Sequence, residues 1–275
     1  MNKLRFSDVF LFKTGERIMP GAVALSVISE HFSRYLFASK FCQDKVALDV
    51  ACGCGYGSKI LIKKAREVYS VDISEELVAF GNIRYGRYNN HFLTMDAQKL
   101  KFPNNYFDVI VSFETLEHLP HHEKFLLECF RVLKDDGRFI LSTPNKNISS
   151  PGRAKPYNKY HYHEWNIQEL TEMISDNFEI AALYGQVYMS PNILSRWQSF
   201  LLKMIQFLVR LMPALVMKIL KKHIFHYKEE DFDKFRLDKK DIIKKASEKD
   251  FSLNNQERAF GIIIMILKKR RNIYA

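Results

Sequence analysis

One short segment constrains this chain more than any other. The run Val46-Ala47-Leu48-Asp49-Val50 passes directly into Ala51-Cys52-Gly53-Cys54-Gly55-Tyr56-Gly57. An apolar run of that length bounded by glycines reads as a buried strand, and a helical pattern follows it at 56–66. Glycines at alternate positions let the chain turn sharply and let a ligand approach the backbone with no Cβ in the way. The spacing is GxGxG. It is neither the GxGxxG of dinucleotide folds nor a P-loop ending in Lys-Ser/Thr, which excludes a pyrophosphate cradle of either kind.

Around this turn, helices and strands alternate. Helical patterns lie at 22–38, 56–66, 75–85, 120–133 and 169–175, and strand patterns at 46–50, 67–71, 91–95, 107–113, 138–142 and 178–184. The turn Asp135-Asp136-Gly137 opens the fifth strand. Such alternation predicts a mostly parallel sheet with helices on both faces. A long apolar and basic stretch at 192–222 and a charged one at 229–250 break the rhythm, and 258–267 reads as a last strand.

Two acids follow the glycine turn in register with it. Asp72 closes the second strand, about 20 residues on, where a carboxylate can accept both hydroxyls of a ribose. Asp96 closes the third, where it can accept from an adenine amino group. With no pyrophosphate cradle, the turn suits a ligand that joins an amino-acid tail to a nucleoside.

At this point the chain resembles the class I S-adenosylmethionine-dependent methyltransferases. The segments that carry the resemblance are LDVACGCGYG, YSVDIS, TMDAQKLKFPNNYFDVIVSFETLEHL and VLKDDGRFILSTPN. It implies a Rossmann-like α/β fold with a seven-stranded sheet whose last strand is antiparallel. It implies S-adenosyl-L-methionine as cofactor, with Asp49, Gly53 and Gly55 around the methionine part, Asp72 at the ribose, Asp96 with Ala97 at the adenine, and Ala51 and Ile73 among the residues that bind it. Arg34 is read in two ways, as the partner of the methionine carboxylate or as an exposed helix residue.

The loop after the fourth strand faces the transferable methyl group in this fold. It reads Glu114-Thr115-Leu116-Glu117-His118-Leu119-Pro120. Spacings of three and four residues would put Glu114, Glu117 and His118 on one side of a helical turn. Three roles are open for it. His118 can act as a general base, since its ordinary pKa is near neutrality. Glu114, Glu117 and His118 can ligate a divalent metal that acidifies an acceptor hydroxyl, with His161 of His161-Tyr162-His163-Glu164-Trp165 as a fourth ligand. Or the loop only opens a helix and positions the cofactor. The metal arrangement resembles methyltransferases of RNA 2′-hydroxyls and of ubiquinone precursors, and by motif position His161 matches better than His163. His121 and His122 read as solvent-facing residues at a helix start, and Cys52 and Cys54 as turn residues rather than a zinc site.

Outside these motifs the chain is basic, with a formal net charge of +11. That favours an anionic partner, whether a membrane surface, a phosphorylated substrate or, less favoured, a nucleic acid. Four cysteines with no CxxC pair fit a reducing compartment, and the first 20 residues lack the apolar run of a secretory signal. Within 193–222, Arg196, Ser199, Lys203, Gln206 and Arg210 form a narrow polar stripe on an otherwise apolar surface. A membrane span would bury Lys203 and Arg210 at about 2.5–3.5 kcal/mol each. A lid, a homodimer contact or a helix lying on a membrane surface therefore suits it better. The expected plan is a single methyltransferase domain: core 40–190 plus 256–270, a helical segment at 1–40 and an insertion at 191–255.

The front end, Gly15-Glu16-Arg17 with Pro20-Gly21 and then His31-Phe32-Ser33-Arg34-Tyr35-Leu36-Phe37-Ala38, resembles bacterial methyltransferases found with glycosyltransferases in surface-polysaccharide assembly. The leading expectation is O-methylation of a sugar or other small hydroxyl in such a glycan or its lipid-linked precursor, in the cytoplasm or at the inner face of the membrane. The alternatives are metal-dependent methylation of an RNA terminus or quinone precursor, and a non-catalytic cofactor-binding partner.

Overall fold

The structure is a computed structural model that describes residues 25–186, 243–245 and 260–270. The expected insertion at 191–255 therefore lies outside the described residues, apart from one short strand. No helix among the described residues is long and apolar enough to cross a membrane.

The strands are β1 Val46–Val50, β2 Glu67–Asp72, β3 Asn90–Thr94, β4 Phe107–Phe113, β5 Leu133–Pro144, β6 Phe178–Gln186, β7 Ile243–Lys245 and β8 Ile262–Lys269. They form one sheet in the order β3-β2-β1-β4-β5-β8-β6-β7. β1 to β5 run parallel, and β8 inserts antiparallel between β5 and β6. This is the Rossmann-like arrangement expected, with β7 as an added eighth strand at the β6 edge. A three-residue strand is too short to show a period in sequence.

The helices are α1 Leu25–Ser39, α2 Tyr56–Leu61, α3 Glu75–Tyr85, α4 His122–Val132, α5 Lys146–Ser149 and α6 Ile167–Ser175. Alternation of side chains along the strands sorts two cores onto the two faces. Ala47, Val109, Val111, Ile140 and Ile264 pack with Phe32 and Tyr35 of α1, Ile60 of α2 and Val78 of α3. Leu48, Ile110, Leu141, Ile263 and Met265 pack with Phe125 and Leu126 of α4 and Leu170 and Ile174 of α6. α6 starts at a capping box, in which Asn166 and Glu169 each accept the other's backbone N–H.

Two local expectations change. The helix expected over 56–66 stops at Leu61, because the chain must return to pair beside β1, where Arg66 donates its N–H to the Lys45 carbonyl at 2.9 Å. The turn expected at 135–137 is absorbed into β5 as an irregularity: Phe107 faces Leu133, and pairing resumes at Val109 with Arg138.

β1, β2 and β3 build outward in one direction, and β4 returns to the other side of β1. The loops after β1 and β4 therefore diverge and leave a crevice at the strand ends. Tyr35 closes one wall, with edge contacts to Tyr56 and Phe113. A Cβ at Gly57 would fall inside the Tyr35 ring. Gly57→Ala is expected to destabilise the fold by about 1–3 kcal/mol through overpacking, read as a lower urea midpoint; an unchanged midpoint would show that Tyr35 is free to move.

Candidate active site

Left-handed backbone at Ala51 (φ 59°), Gly53 (φ 57°) and Gly55 (φ 84°) carries the chain from β1 into α2. The two glycines serve different ends. A Cβ at Gly55 would meet the Phe92 ring, whereas one at Gly53 would meet nothing within 4 Å. Gly53 thus presents bare backbone to open space. Asp72 braces it: one carboxylate oxygen accepts the Gly53 N–H and the other the Ser74 N–H, each at 2.9 Å. Ile73 beside it is 66% exposed, and Asp96, just beyond the end of β3 at Thr94 rather than closing it, is exposed and followed by buried Ala97. Asp96 accepts from the backbone and side chain of Gln98.

Asp49 lies beneath the turn with no exposed surface. Tyr35 Oη donates to one of its oxygens at 3.1 Å and Ser58 Oγ to the other at 2.6 Å. Burial pushes its pKa up to about 7 despite these donors. Cys52 and Cys54 are buried free thiols within this turn.

Arg34 is not the exposed residue of the alternative reading; it is 1% exposed. Its Nη1 donates to Gln186 Oε1, and Gln186 Nε2 donates to the Glu30 carbonyl at 2.9 Å. Arg34 Nε has no hydrogen-bond partner. Gln186, at the far end of β6, was invisible to sequence reasoning, since no local pattern links it to α1.

On the other wall, Leu116–His118 forms a single 3₁₀ turn. The structure brings Glu117, His118 and His161 together, with a potential ligand atom of each within 4.8 Å of the others. Glu114 does not join that group. It sits at the end of β4 with φ 52°, outside any helical turn, and its Oε1 accepts from Ser142 Oγ at 2.7 Å. Glu117 is 1% exposed; Oε2 accepts from Thr143 Oγ1 at 2.9 Å, and Oε1 has no partner. Burial, and then the charge of Glu114, push the Glu117 carboxyl well above its ordinary range.

His161 is held from behind by Glu164, which the sequence reading passed over. His161 Nδ1 lies 2.6 Å from Glu164 Oε1, and Ser149 Oγ donates to Glu164 Oε2 at 2.6 Å. Burial alone would raise the Glu164 pKa, but hydrogen bonds from His161, Ser149 and Ser150 outweigh it and hold the carboxyl below its usual value. The spacing of three residues between His161 and Glu164 was the available signal. His122 is a correction: it is half-buried against the Trp165 ring, centroids 4.9 Å apart, because α4 packs on the segment after α5.

A family profile described as "Methyltransferase domain" matches residues 48–141. Over 174 residues, 62% of its length, the chain is 36% identical to a protein of Mycolicibacterium smegmatis named "Probable S-adenosylmethionine-dependent methyltransferase", of which it covers 67%. The chain belongs to the class I S-adenosylmethionine-dependent methyltransferases. Its cofactor is S-adenosylmethionine. A like-named protein of Mycobacterium tuberculosis is also 36% identical, and the match spans 62% of that protein's length. A "Ubiquinone biosynthesis O-methyltransferase" of Coxiella burnetii is 34% identical over 115 residues, 38% of this chain and 46% of that one.

Solved structures of similar fold include the S-adenosylmethionine-dependent methyltransferase of Mesorhizobium loti, with TM-score 0.53 and 14% identity over 86% of this chain and 95% of that one. The [4+2]-cyclase SpnF superposes with TM-score 0.55 and 16% identity, covering 92% and 86%. At such identities the likeness shows the fold and nothing finer.

Asp49 gives this methyltransferase a pH-dependent component of stability. Its folded pKa of about 7 lies above the ordinary 3.8, so the folded chain binds the proton more tightly. Stability from this group is present at low pH and is lost as pH rises toward 7. Asp49→Asn should make the fall in thermal midpoint between pH 4 and about 7 shallower; an unchanged slope would place the linkage elsewhere.

Proposed function

We propose that this methyltransferase O-methylates a hydroxyl of a sugar in a bacterial surface polysaccharide or its lipid-linked precursor. The observation that carries the oxygen acceptor is the buried, unpartnered Oε1 of Glu117 beside His118 and His161. A hydroxyl must lose its proton to become a competent nucleophile, whereas an amine brings its own lone pair. A buried carboxylate grouped with two imidazoles is built to take up that proton or to hold a cation that makes it leave. The name of the Coxiella burnetii relative supports an oxygen acceptor.

When bound, S-adenosylmethionine supplies an electrophilic methyl on a sulfonium for in-line displacement. The residues present fit it. Gly53 offers open backbone at the crevice, Ile73 an exposed apolar face, and Arg34 a buried N–H with nothing to bond. Arg34 would hold the methionine carboxylate, Asp72 the ribose hydroxyls, and Asp96 with Ala97 the adenine, with Ala51, Gly53 and Gly55 shaping the turn. Asp49 acts from below, by fixing Tyr35 and Ser58.

Glu117, His118 and His161 also fit a divalent cation, through two imidazoles and an orphaned carboxylate oxygen. Such an ion would polarise and acidify the acceptor hydroxyl. Glu164 fixes the His161 ring in either case. The lipid-linked version of the acceptor would give 193–222 a role at a membrane surface.

Arg34→Lys should weaken S-adenosylhomocysteine binding by roughly 10- to 100-fold, the order of a lost charge-assisted pair. Binding of 5′-methylthioadenosine, which lacks the carboxylate, should not change; equal losses for both would show a structural defect instead. Glu117→Gln should lower turnover by about 10²–10⁴-fold with cofactor affinity intact. Labelled cofactor with fractionated cell extract supplies the acceptor: label in a glycan or lipid-linked fraction is expected, and label on nitrogen or in RNA would overturn the reading. Activity untouched by EDTA and by Glu117→Ala would remove the metal.

A further inference from the structure

The cofactor side of the crevice uses the glycine turn, the strand-end acids and Arg34. The loop 150–163 on the opposite side is unused by that account, although it carries His161. It contains three tyrosines and three cations, Arg153, Lys155 and Lys159, and no carboxylate. The next acid along the chain, Glu164, is 3% exposed and engaged by His161 and Ser149, and Glu117, to which the loop is tied, is 1% exposed, so neither lies on the outer face. Tyr157, Tyr160 and Tyr162 are 77%, 44% and 66% exposed.

This loop is ordered by its own hydrogen bonds. The Tyr157 N–H donates to Ser150 Oγ at 2.7 Å, and the Tyr160 N–H to Asn158 Oδ1 at 3.0 Å. It is also tied to the catalytic corner. The Tyr162 N–H donates to the Glu117 carbonyl at 2.8 Å, and His118 Nδ1 lies 3.2 Å from the Tyr160 carbonyl. Tyr160 and Tyr162 therefore flank His161 in sequence and are pinned by their backbones to Glu117 and His118. Two of the cations lie over rings, Arg153 over Tyr157 at 5.5 Å and Lys159 over Tyr160 at 4.9 Å.

We propose that this loop is the acceptor-recognition platform and that it takes a sugar carried on a phosphate or diphosphate group. The proposal rests on the reading of the acceptor as a sugar hydroxyl. A tyrosine presents an apolar face that matches the C–H face of a pyranose and a hydroxyl that reaches its oxygens. Arginine and lysine supply charge-assisted bonds to phosphoryl oxygens. Three cations confined to 153–159 match one or two phosphates rather than the long phosphate run of a nucleic acid. A neutral quinone ring would use the tyrosines and leave the cations without a purpose.

The test measures binding to the full chain saturated with S-adenosylhomocysteine, so that it does not depend on methyl transfer. The probes are UDP-glucose, a polyprenyl-diphosphate-linked N-acetylglucosamine, methyl glucoside and a single-stranded RNA 12-mer. The first two distinguish nucleotide-linked from lipid-linked sugars. At least one of them should bind at least about tenfold tighter than methyl glucoside, the order of one charge-assisted bond, with the margin shrinking as salt rises.

The double variant Lys155→Ala/Lys159→Ala should abolish that margin. Tyr157→Ala should weaken the glucoside and the diphosphate sugars alike. Neither variant should change S-adenosylhomocysteine affinity, which also reports that the fold is intact. A margin absent in the wild type or unaffected by the lysine variants would overturn the platform, and RNA binding tightest would replace it with a nucleic-acid surface. Methyl label appearing on a glycan while the margin is absent would sink the platform and leave the O-methylation reading standing.

Discussion

The carboxylate of Asp49 has no exposed surface, and it receives hydroxyls from two helices that reach it from opposite directions in sequence, Tyr35 of α1 and Ser58 of α2. A carboxylate so placed is tolerable only while its oxygens are hydrogen-bonded; each lost partner costs about 1–3 kcal/mol. That requirement fixes how α1 lies across the end of β1 and where α2 must begin. The glycine turn sits on this floor, Asp72 clamps it from the side through the Gly53 N–H, and Arg34, one residue before Tyr35 on α1, is carried into the interior. The glycine-turn side of the crevice thus hangs from one buried acid that does not itself face the open space.

The other half is organised from β4 and β5. Thr143 near the end of β5 donates to Glu117, Ser142 draws Glu114 back to the sheet, and the chain beyond α5 returns His161 to the same corner. The outcome is a division between two neighbouring acids. Glu114 is satisfied by the scaffold, while Glu117 keeps an unpartnered oxygen in a buried place. Buried polar atoms are nearly always paired, so that orphan marks where chemistry is to be sought.

Much of the architecture was legible before any coordinates. The bounds of β1, α3 and β4 follow from their apolar runs and flanking turn residues, and the antiparallel last strand follows from the family resemblance. The fragile expectations were those where a local pattern competes with a distant partner. The helix from Tyr56 ends early because the strand after it must pair beside β1, and the Asp135-Asp136-Gly137 turn becomes part of a strand because β4 pairs with Leu133 before it and with Arg138 after it. β7 left no trace, since three residues are too few to show a period and it is a strand through its pairing with the distant β6 edge.

By itself the sequence determined the alternation of the principal strands and helices from β1 to β6, the sharp glycine turn after β1, and the placing of Asp72 and Asp96 at or just beyond successive strand ends. All of these are set by residues within a few positions of one another, through periodicity and backbone sterics. The tertiary structure decided that Arg34 is buried against a glutamine 152 residues away. It also decided that Glu117 rather than Glu114 meets the histidines, and that a loop 42 residues beyond His118 brings its tyrosines and cations to the same corner. These depend on how separate strands stand beside one another in the sheet, and that registration is settled by packing over the whole core.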